Sequence, residues 1–273
     1  MRNITITTSK TAWRSATTTA TVRNITITIT KTVWICITTT ATARNTITTT
    51  TTTIITTTTG RRAVLMTEHI LEAKDITFGY QKKKPVLEHY DLRVTSRERV
   101  ALSAPSGFGK TTFCQLLAGY SEPWQGQILL DGEPLPKKGY CPVQMIWQHP
   151  ERSVDPAMRI GDTLKQCPHL DPAVIEGLGI EKDWYSRFPG ELSGGEIQRF
   201  CIARALGEET KFIIADEIST MLDLITQSQI WQFLLKETER RNIGMILVSH
   251  SEALTNLVAT RVLDLTAKEA AKE

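Results

Sequence analysis

An α/β fold with a parallel sheet at its core is predicted by three stretches of this chain. Val100-Ala-Leu-Ser103 is a short apolar strand that runs into a Gly-containing turn ending in Lys110-Thr111. Lys211-Phe-Ile-Ile-Ala-Asp-Glu217 is a second apolar strand, and it ends in two acids. Strands of this kind deliver reactive side chains to the carboxyl edge of a parallel sheet. The third stretch, from Ser193, is a helix start: Glu196 three residues on completes a capping box, and the apolar residues after it recur at helical spacing.

At 273 residues the chain has material for one large domain or two small ones. Its net charge of +3 is unevenly spread. Met1–Met66 carries eight Lys/Arg and no acid, Glu68 being the first, so the remainder is at −5. A mildly acidic globular part gives no support to a nucleic-acid partner. The five cysteines (Cys36, Cys114, Cys141, Cys167, Cys201) are odd in number and form no CxxC or Cys/His cluster, which argues against a disulfide framework or a zinc site. No apolar run approaches the ~18 residues needed to span a bilayer, so a membrane role requires a partner.

The first sixty residues are a different kind of sequence. Thr makes up nearly half of Met1–Gly60, and the segments starting at Arg2, Arg23 and Arg44 repeat at a spacing of 21 residues. The apolar content is too thin for a solenoid that buries a face, although alternating Ile/Thr favours extended backbone locally. An organelle transit peptide, a Thr-rich stalk, and a start codon assigned too early all compete, the last being favoured because everything after Met66 reads as a complete domain. The expected division is therefore a repetitive segment 1–65 without a function and a domain 66–273.

Ala104-Pro-Ser-Gly-Phe-Gly-Lys-Thr-Thr112 fits the phosphate-binding pattern G-x-x-x-x-G-K-[ST], with Ala104 where the first Gly usually stands. Gly107 and Gly109 permit the curvature that points successive N–H groups at an anion. The helix beginning near Lys110 adds the positive end of its dipole. Lys110 reaches the β/γ-phosphates and the Thr111 hydroxyl ligates Mg²⁺. Ser106, Gly107, Phe108, Gly109, Lys110, Thr111 and Thr112 are thus candidate nucleotide contacts, while the Ala104 methyl is expected to crowd the loop. About a hundred residues downstream, Asp216 would hold Mg²⁺ through its water shell and Glu217 would orient or deprotonate an attacking water. A bare helix cap at Ser193 needs no double Gly, whereas a helix start that must approach a γ-phosphate does.

Leu192-Ser-Gly-Gly-Glu196 with trailing Gln198-Arg199, set between a phosphate loop and an Asp-Glu strand, closely resembles the ATP-binding cassette ATPases over about Leu71–Leu265. The resemblance implies further roles. Tyr80 matches the aromatic on which adenine stacks, a contact of about 1–3 kcal/mol by analogy with base stacking. Gln148 matches a glutamine that touches Mg²⁺ and senses the membrane partner, Asp223 matches the loop crossing a dimer interface, and His250 matches the histidine on the γ-phosphate. The implied catalytic set is then Glu217, His250, Gln148 and Lys110, with Thr111, Gln148 and Asp216 around the metal. Gln148–Thr163, Phe188–Leu192 and Leu222–Gln229 are similar to the corresponding stretches of dipeptide, oligopeptide and nickel importer ATPases.

What the resemblance implies is a P-loop NTPase (RecA-like) core with an antiparallel β subdomain over about Leu71–Ile128 and a helical subdomain near Gly161–Arg204. Two cassettes would face head to tail, as a homodimer or heterodimer, with ATP between Lys110 of one and Ser193, Gly194 and Gly195 of the other. Implied partners are transmembrane permease subunits and a substrate-binding protein, at the cytoplasmic face of the inner membrane. A non-transport cassette ATPase and a catalytically idle partner subunit are the alternatives. Three departures from the pattern stand out: Ile218 where Pro commonly follows the acid, Met221 where Ala is usual, and only about 45 residues between Gln148 and Ser193.

Overall fold

The computed structural model describes residues 18–22, 25–29, 54–56, 62–64, 68–81, 84–167, 169–218 and 222–266. Met221 and most of the Thr-rich repeat lie outside them. The chain divides into two compact units, Met1–Thr67 and Glu68–Glu273. In the first, β1 (Thr18–Val22) pairs antiparallel with β2 (Ile25–Ile29), and β3 (Ile54–Thr56) with β4 (Arg62–Val64).

The second unit opens with β5 (Ile70–Phe78), β6 (Leu87–Thr95) and β7 (Arg99–Ser103), then α1 (Lys110–Leu117), β8 (Gln125–Leu130), β9 (Glu133–Pro134) and β10 (Val143–Ile146). Two short helices follow, α2 (Ile160–Thr163) and α3 (Pro172–Gly177). After them come α4 (Gly194–Ala205), β11 (Phe212–Asp216), α5 (Leu224–Arg241), β12 (Gly244–Val248), α6 (Glu252–Val258) and β13 (Arg261–Asp264).

Five strands form a wholly parallel sheet in the order β10-β11-β12-β7-β13. Strands β6-β5-β8-β9 form the antiparallel sheet, which runs somewhat past the expected Ile128 because β9 adds an edge. The parallel strands read as apolar runs because both of their faces are covered. Ala101, Ala215 and Leu247 enter one buried cluster with α4 and α5. Their strand neighbours Val100, Leu102, Ile214, Ile246 and Val248 enter a second cluster with α1 and the antiparallel sheet, as side-chain alternation along a strand requires. The segment between β10 and β11 is less helical than expected. Alongside α2, α3 and α4 it uses short 3₁₀ turns at Pro150–Arg152, Leu164–Gln166, Lys182–Ser186 and Pro189–Glu191, two of which open on a proline at their first position. The strand order brings the carboxyl ends of β7, β10, β11 and β12 to one edge.

Candidate active site

The loop after β7 has the backbone that its glycines were expected to permit. Gly107 and Gly109 take φ of 79° and 102°, in the left-handed region. At Gly109 a Cβ would also meet the Val86 side chain at 2.8 Å, so both space and conformation demand glycine there. Gly109 caps α1 without any side-chain hydrogen bond, so the first N–H groups of the helix point into the loop without a capping side chain. Ala104 does not crowd the loop as expected. It lies outside the positive-φ set, and its methyl packs against the buried cluster under the sheet.

Lys110 is buried at 8% exposure, and its Nζ donates to the carbonyls of Ala104 at 2.7 Å and Pro105 at 3.2 Å. The cation therefore sits within the cradle that a phosphate would enter. The Thr111 hydroxyl hydrogen-bonds the carboxylate of Asp216 at the end of β11. Asp216 is 4% exposed, and burial pushes its carboxyl above the ordinary range, with the Thr111 hydrogen bond opposing. Its Oδ1 has no hydrogen-bond partner among the described residues. A buried carboxylate oxygen without a partner is costly, and a hard cation with its water shell would satisfy it. Hydroxyl and carboxylate oxygens, with retained waters, are the donors Mg²⁺ prefers, so these residues fit the ion.

Glu217, one residue past β11, has φ of 50°, a conformation that costs a side-chain-bearing residue about 1–2 kcal/mol. Its N–H donates to the Val248 carbonyl of β12 at 3.0 Å. Its carboxylate is gripped on both oxygens: Oε1 lies 2.8 Å from His250 Nε2, and Oε2 accepts from Gln148 Nε2 at 2.9 Å. Three strand ends thus converge on one carboxylate. Ile218, which replaces the expected proline, is 3% exposed within the core.

Tyr80 stands beside this edge with its ring largely exposed, at 66%, and edge-on to Phe78 at 5.4 Å. Its hydroxyl hydrogen-bonds Thr112 Oγ1 at 2.9 Å, so Thr112 is engaged with the base-stacking candidate. Val86 lies against Gly109 of the loop, and Trp124 against Gly79, next to Tyr80. No sequence signal pointed to either, because both are brought there by the antiparallel sheet rather than by chain proximity.

The predicted capping box is present at the start of α4. Ser193 Oγ accepts from Glu196 N–H at 3.3 Å, and Glu196 Oε2 accepts from Ser193 N–H at 2.6 Å. Among the described residues nothing lies within 4 Å of where a Gly194 Cβ would stand, and its φ is not left-handed, so none of them demands glycine there. Asp223 caps α5, accepting from Ile225 N–H and Thr226 N–H at 3.0 Å. Leu224 and Ile225 beside it are 82% and 72% exposed. A cavity of about 1090 Å³ opens from Thr111, Asp216 and Gln148 toward Tyr120, Trp147, Arg152, Lys165 and Arg204. Among the described residues Cys114, Cys141, Cys167 and Cys201 are not joined by disulfides, and Cys36 lies outside them. No described helix is long and apolar enough to cross a membrane.

A family profile described as ABC transporter matches residues 87–220. Nickel import system ATP-binding protein NikE of Staphylococcus aureus (strain bovine RF122 / ET3-1) is 30% identical over 210 residues, which cover 72% of this chain and 86% of that protein. The same protein from strain MRSA252 is likewise 30% identical over 210 residues. Among solved structures, cbiO1 from Clostridium perfringens, part of the ABC transporter complex cbiONQ, superposes with a TM-score of 0.60 at 21% identity, covering 72% of this chain and 85% of that one. The dimeric cassette MJ0796 in a post-hydrolysis state bound to ADP and Pi gives 0.59 at 20% identity, covering 71% of this chain and 93% of that one. The phosphate loop, the strand ends gathered on Glu217 and these matches together assign the chain to the ABC transporter family, as an ATP-binding ATPase cassette.

Proposed function

We propose that this ATPase powers an importer, with nickel or small peptides as the cargo class, and that it works as a dimer of cassettes docked on a membrane permease. The observation that carries the catalytic part is the Glu217 carboxylate, held between Gln148 and His250 beside the Lys110 loop. Nickel as cargo rests on the relatives named as nickel import subunits. A non-transport role is not favoured, since those relatives are importer subunits.

ATP enters with its phosphates on the loop, where Lys110 exchanges the Ala104 and Pro105 carbonyls for phosphate oxygens and the first N–H groups of α1 add their partial charge. Tyr80 offers its exposed ring to the adenine. Thr111, Asp216 and Gln148 would hold Mg²⁺, which when bound neutralises phosphate charge. His250 turns from Glu217 to the γ-phosphate, and the freed Glu217 oxygen accepts the proton of the attacking water as its oxygen bonds the γ-phosphorus and the bond to the bridging oxygen breaks, leaving ADP and phosphate. The developing charge is met by Lys110, His250 and N–H groups of a partner's α4 start. Gly194, which no described residue requires, suits a helix start pressed against a partner's nucleotide. The cavity leading away from Gln148, aromatic on one side and cationic on the other, suits a permease segment that reports to the metal end of the site. Residues 1–65 have no part in this reading.

The test is ATP-driven uptake into vesicles bearing this chain with the permease and binding-protein products of neighbouring genes. Uptake of Ni²⁺ or of a labelled dipeptide, abolished by Glu217→Gln, is the expected result. ATPase activity without uptake of either cargo would overturn the cargo assignment, and no ATPase activity would overturn the motor.

A further inference from the structure

Tyr80 follows the antiparallel strand β5, and Thr112 stands in the first turn of α1. They are 32 residues apart in the chain, yet their hydroxyl oxygens lie 2.9 Å from one another. We infer that this hydrogen bond holds the Tyr80 ring in one orientation over α1, so that the base platform and the phosphate loop meet a nucleotide as a single preformed surface. Thr112 then acts through Tyr80 as a positioning residue, and favours a nucleotide over a bare polyphosphate. The inference rests on the reading of Tyr80 as the residue on which adenine stacks.

A largely exposed ring keeps its rotamer freedom, and ordering such a side chain at the moment of binding costs affinity. Here the ordering is done in advance, at three levels. The backbone turn that carries Tyr80 is pinched. Val86 N–H donates to the Phe78 carbonyl at 2.7 Å, and a Cβ on Gly79 would stand 2.4 Å from the Lys84 carbonyl oxygen and 2.8 Å from the Trp124 ring. The ring itself is met edge-on by buried Phe78, with centroids 5.4 Å apart, a favourable aromatic geometry. The tip is held by Thr112 Oγ1, with Gln115 Oε1 at 3.5 Å, three residues further along the same face of α1. Thr112 is buried, so its hydroxyl has little water to turn to and the tie to Tyr80 is the stronger for it. Because Thr112 stands two residues after Lys110, the ring is registered to the helix start that cradles the phosphates. A phenylalanine at position 80 would keep the stacking face and the Phe78 contact and lose the tie to α1 alone.

The experiment is a double-mutant cycle of Tyr80→Phe and Thr112→Val, read as equilibrium affinity for ATP and for inorganic tripolyphosphate, with Tyr80→Ala as control. Tyr80→Phe binds ATP about fivefold more weakly, the scale of one net hydrogen bond. It binds tripolyphosphate within about twofold of the parent, because that ligand brings no base to the ring. On a Thr112→Val background the further change Tyr80→Phe costs less than about twofold, which is the coupling that such a cycle isolates. On a Thr112→Ser background, where the hydroxyl is kept, it again costs about fivefold. General loosening of the fold would weaken both ligands alike. Additive effects of the two substitutions, parent-like ATP affinity in Tyr80→Phe, or an equal loss toward tripolyphosphate each overturn the proposal. Tyr80→Ala removes the stacking face as well and lowers ATP affinity at least about tenfold. If Tyr80→Ala binds ATP like the parent, it is the base-stacking reading that fails; a loss in Tyr80→Ala beside none in Tyr80→Phe strikes the hydroxyl alone, so the two failures are told apart.

Discussion

Lys110 Nζ lies 2.7 Å from the carbonyl oxygen of Ala104, so the cation is folded back onto its own loop. Phosphate binding replaces this internal hydrogen bond with a charge-assisted one. Lys110→Ala is therefore expected to lower ATP affinity at least about 100-fold, since hydrogen bonds to charged groups are worth about 1.5–3 kcal/mol each. Glu217→Gln, by contrast, should bind ATP normally and lose turnover. Equilibrium dialysis with ATP alongside steady-state ATPase separates the two, and a Lys110→Ala chain that binds like the parent refutes the role given to Lys110.

Assembly is tested at the start of α4. Ser193→Arg removes a helix cap, at a stability cost of about 1 kcal/mol, and leaves the phosphate loop intact. It should bind ATP yet fail to dimerise with it when placed on a Glu217→Gln background and measured by sizing. Mixing Ser193→Arg with Lys110→Ala should restore part of the ATPase, because one of the two shared sites would then lack both defects. Full ATP-dependent dimerisation of the Ser193→Arg chain rules out the shared-site arrangement.

Tyr140 supplies a pH test of the turn that leads into β11. Its hydroxyl accepts from Gly207 N–H at 3.2 Å and lies 2.7 Å from Thr210 Oγ1, whose own proton goes to the Ala205 carbonyl at 2.8 Å. The Tyr140 hydroxyl also lies 3.4 Å from the carbonyls of Arg204 and Ala205, to which it can donate. Burial pushes its phenol up to about 12 from 10.0. A folded value raised above the unfolded one means that its stabilisation is complete below pH 10 and is lost as the pH climbs toward 12. Tyr140→Phe should cost about 1–3 kcal/mol at pH 8, because Gly207 N–H loses its partner, but fall less steeply than the parent between pH 9 and about 11. Urea unfolding across that range checks the crossing trend, and parallel curves count against it.

Deleting residues 1–65 should leave ATP affinity and the thermal midpoint unchanged, as expected of a repetitive, acid-free segment that precedes a separate compact unit. Calorimetry on the truncated chain is the check. A drop of more than a few degrees, or lost binding, would make the segment part of the domain.

The residues legible from sequence were those whose signal is local. Lys110, Thr111, Asp216 and Glu217 follow directly on apolar strands, and Ser193 with Glu196 is a capping box readable without any tertiary knowledge. Gln148, His250 and Tyr80 carry no local signal of their own. Resemblance supplied them, and the strand order then brought Gln148 and His250 onto Glu217. What remained illegible depends on dihedral angles and packing across distant segments. The left-handed turn at Glu217 is one case, the Lys110 contact with Ala104 another, and the Val86 and Trp124 flanks a third. The expectation that Ala104 would crowd the loop failed for the same reason: the cost of a Cβ depends on φ, and residue 104 does not take the glycine-only conformation.

The position of β7 between β12 and β13 has a consequence for how the chain matures. The phosphate-loop strand is synthesised early, yet both of its sheet neighbours come from Gly244–Val248 and Arg261–Asp264, near the far end. Until those strands leave the ribosome, the strand that carries the loop lacks both of its sheet neighbours. Completing the sheet around it is a late, long-range step of the slow kind, and a prematurely terminated product lacking β12 and β13 would carry the loop on a strand with neither neighbour.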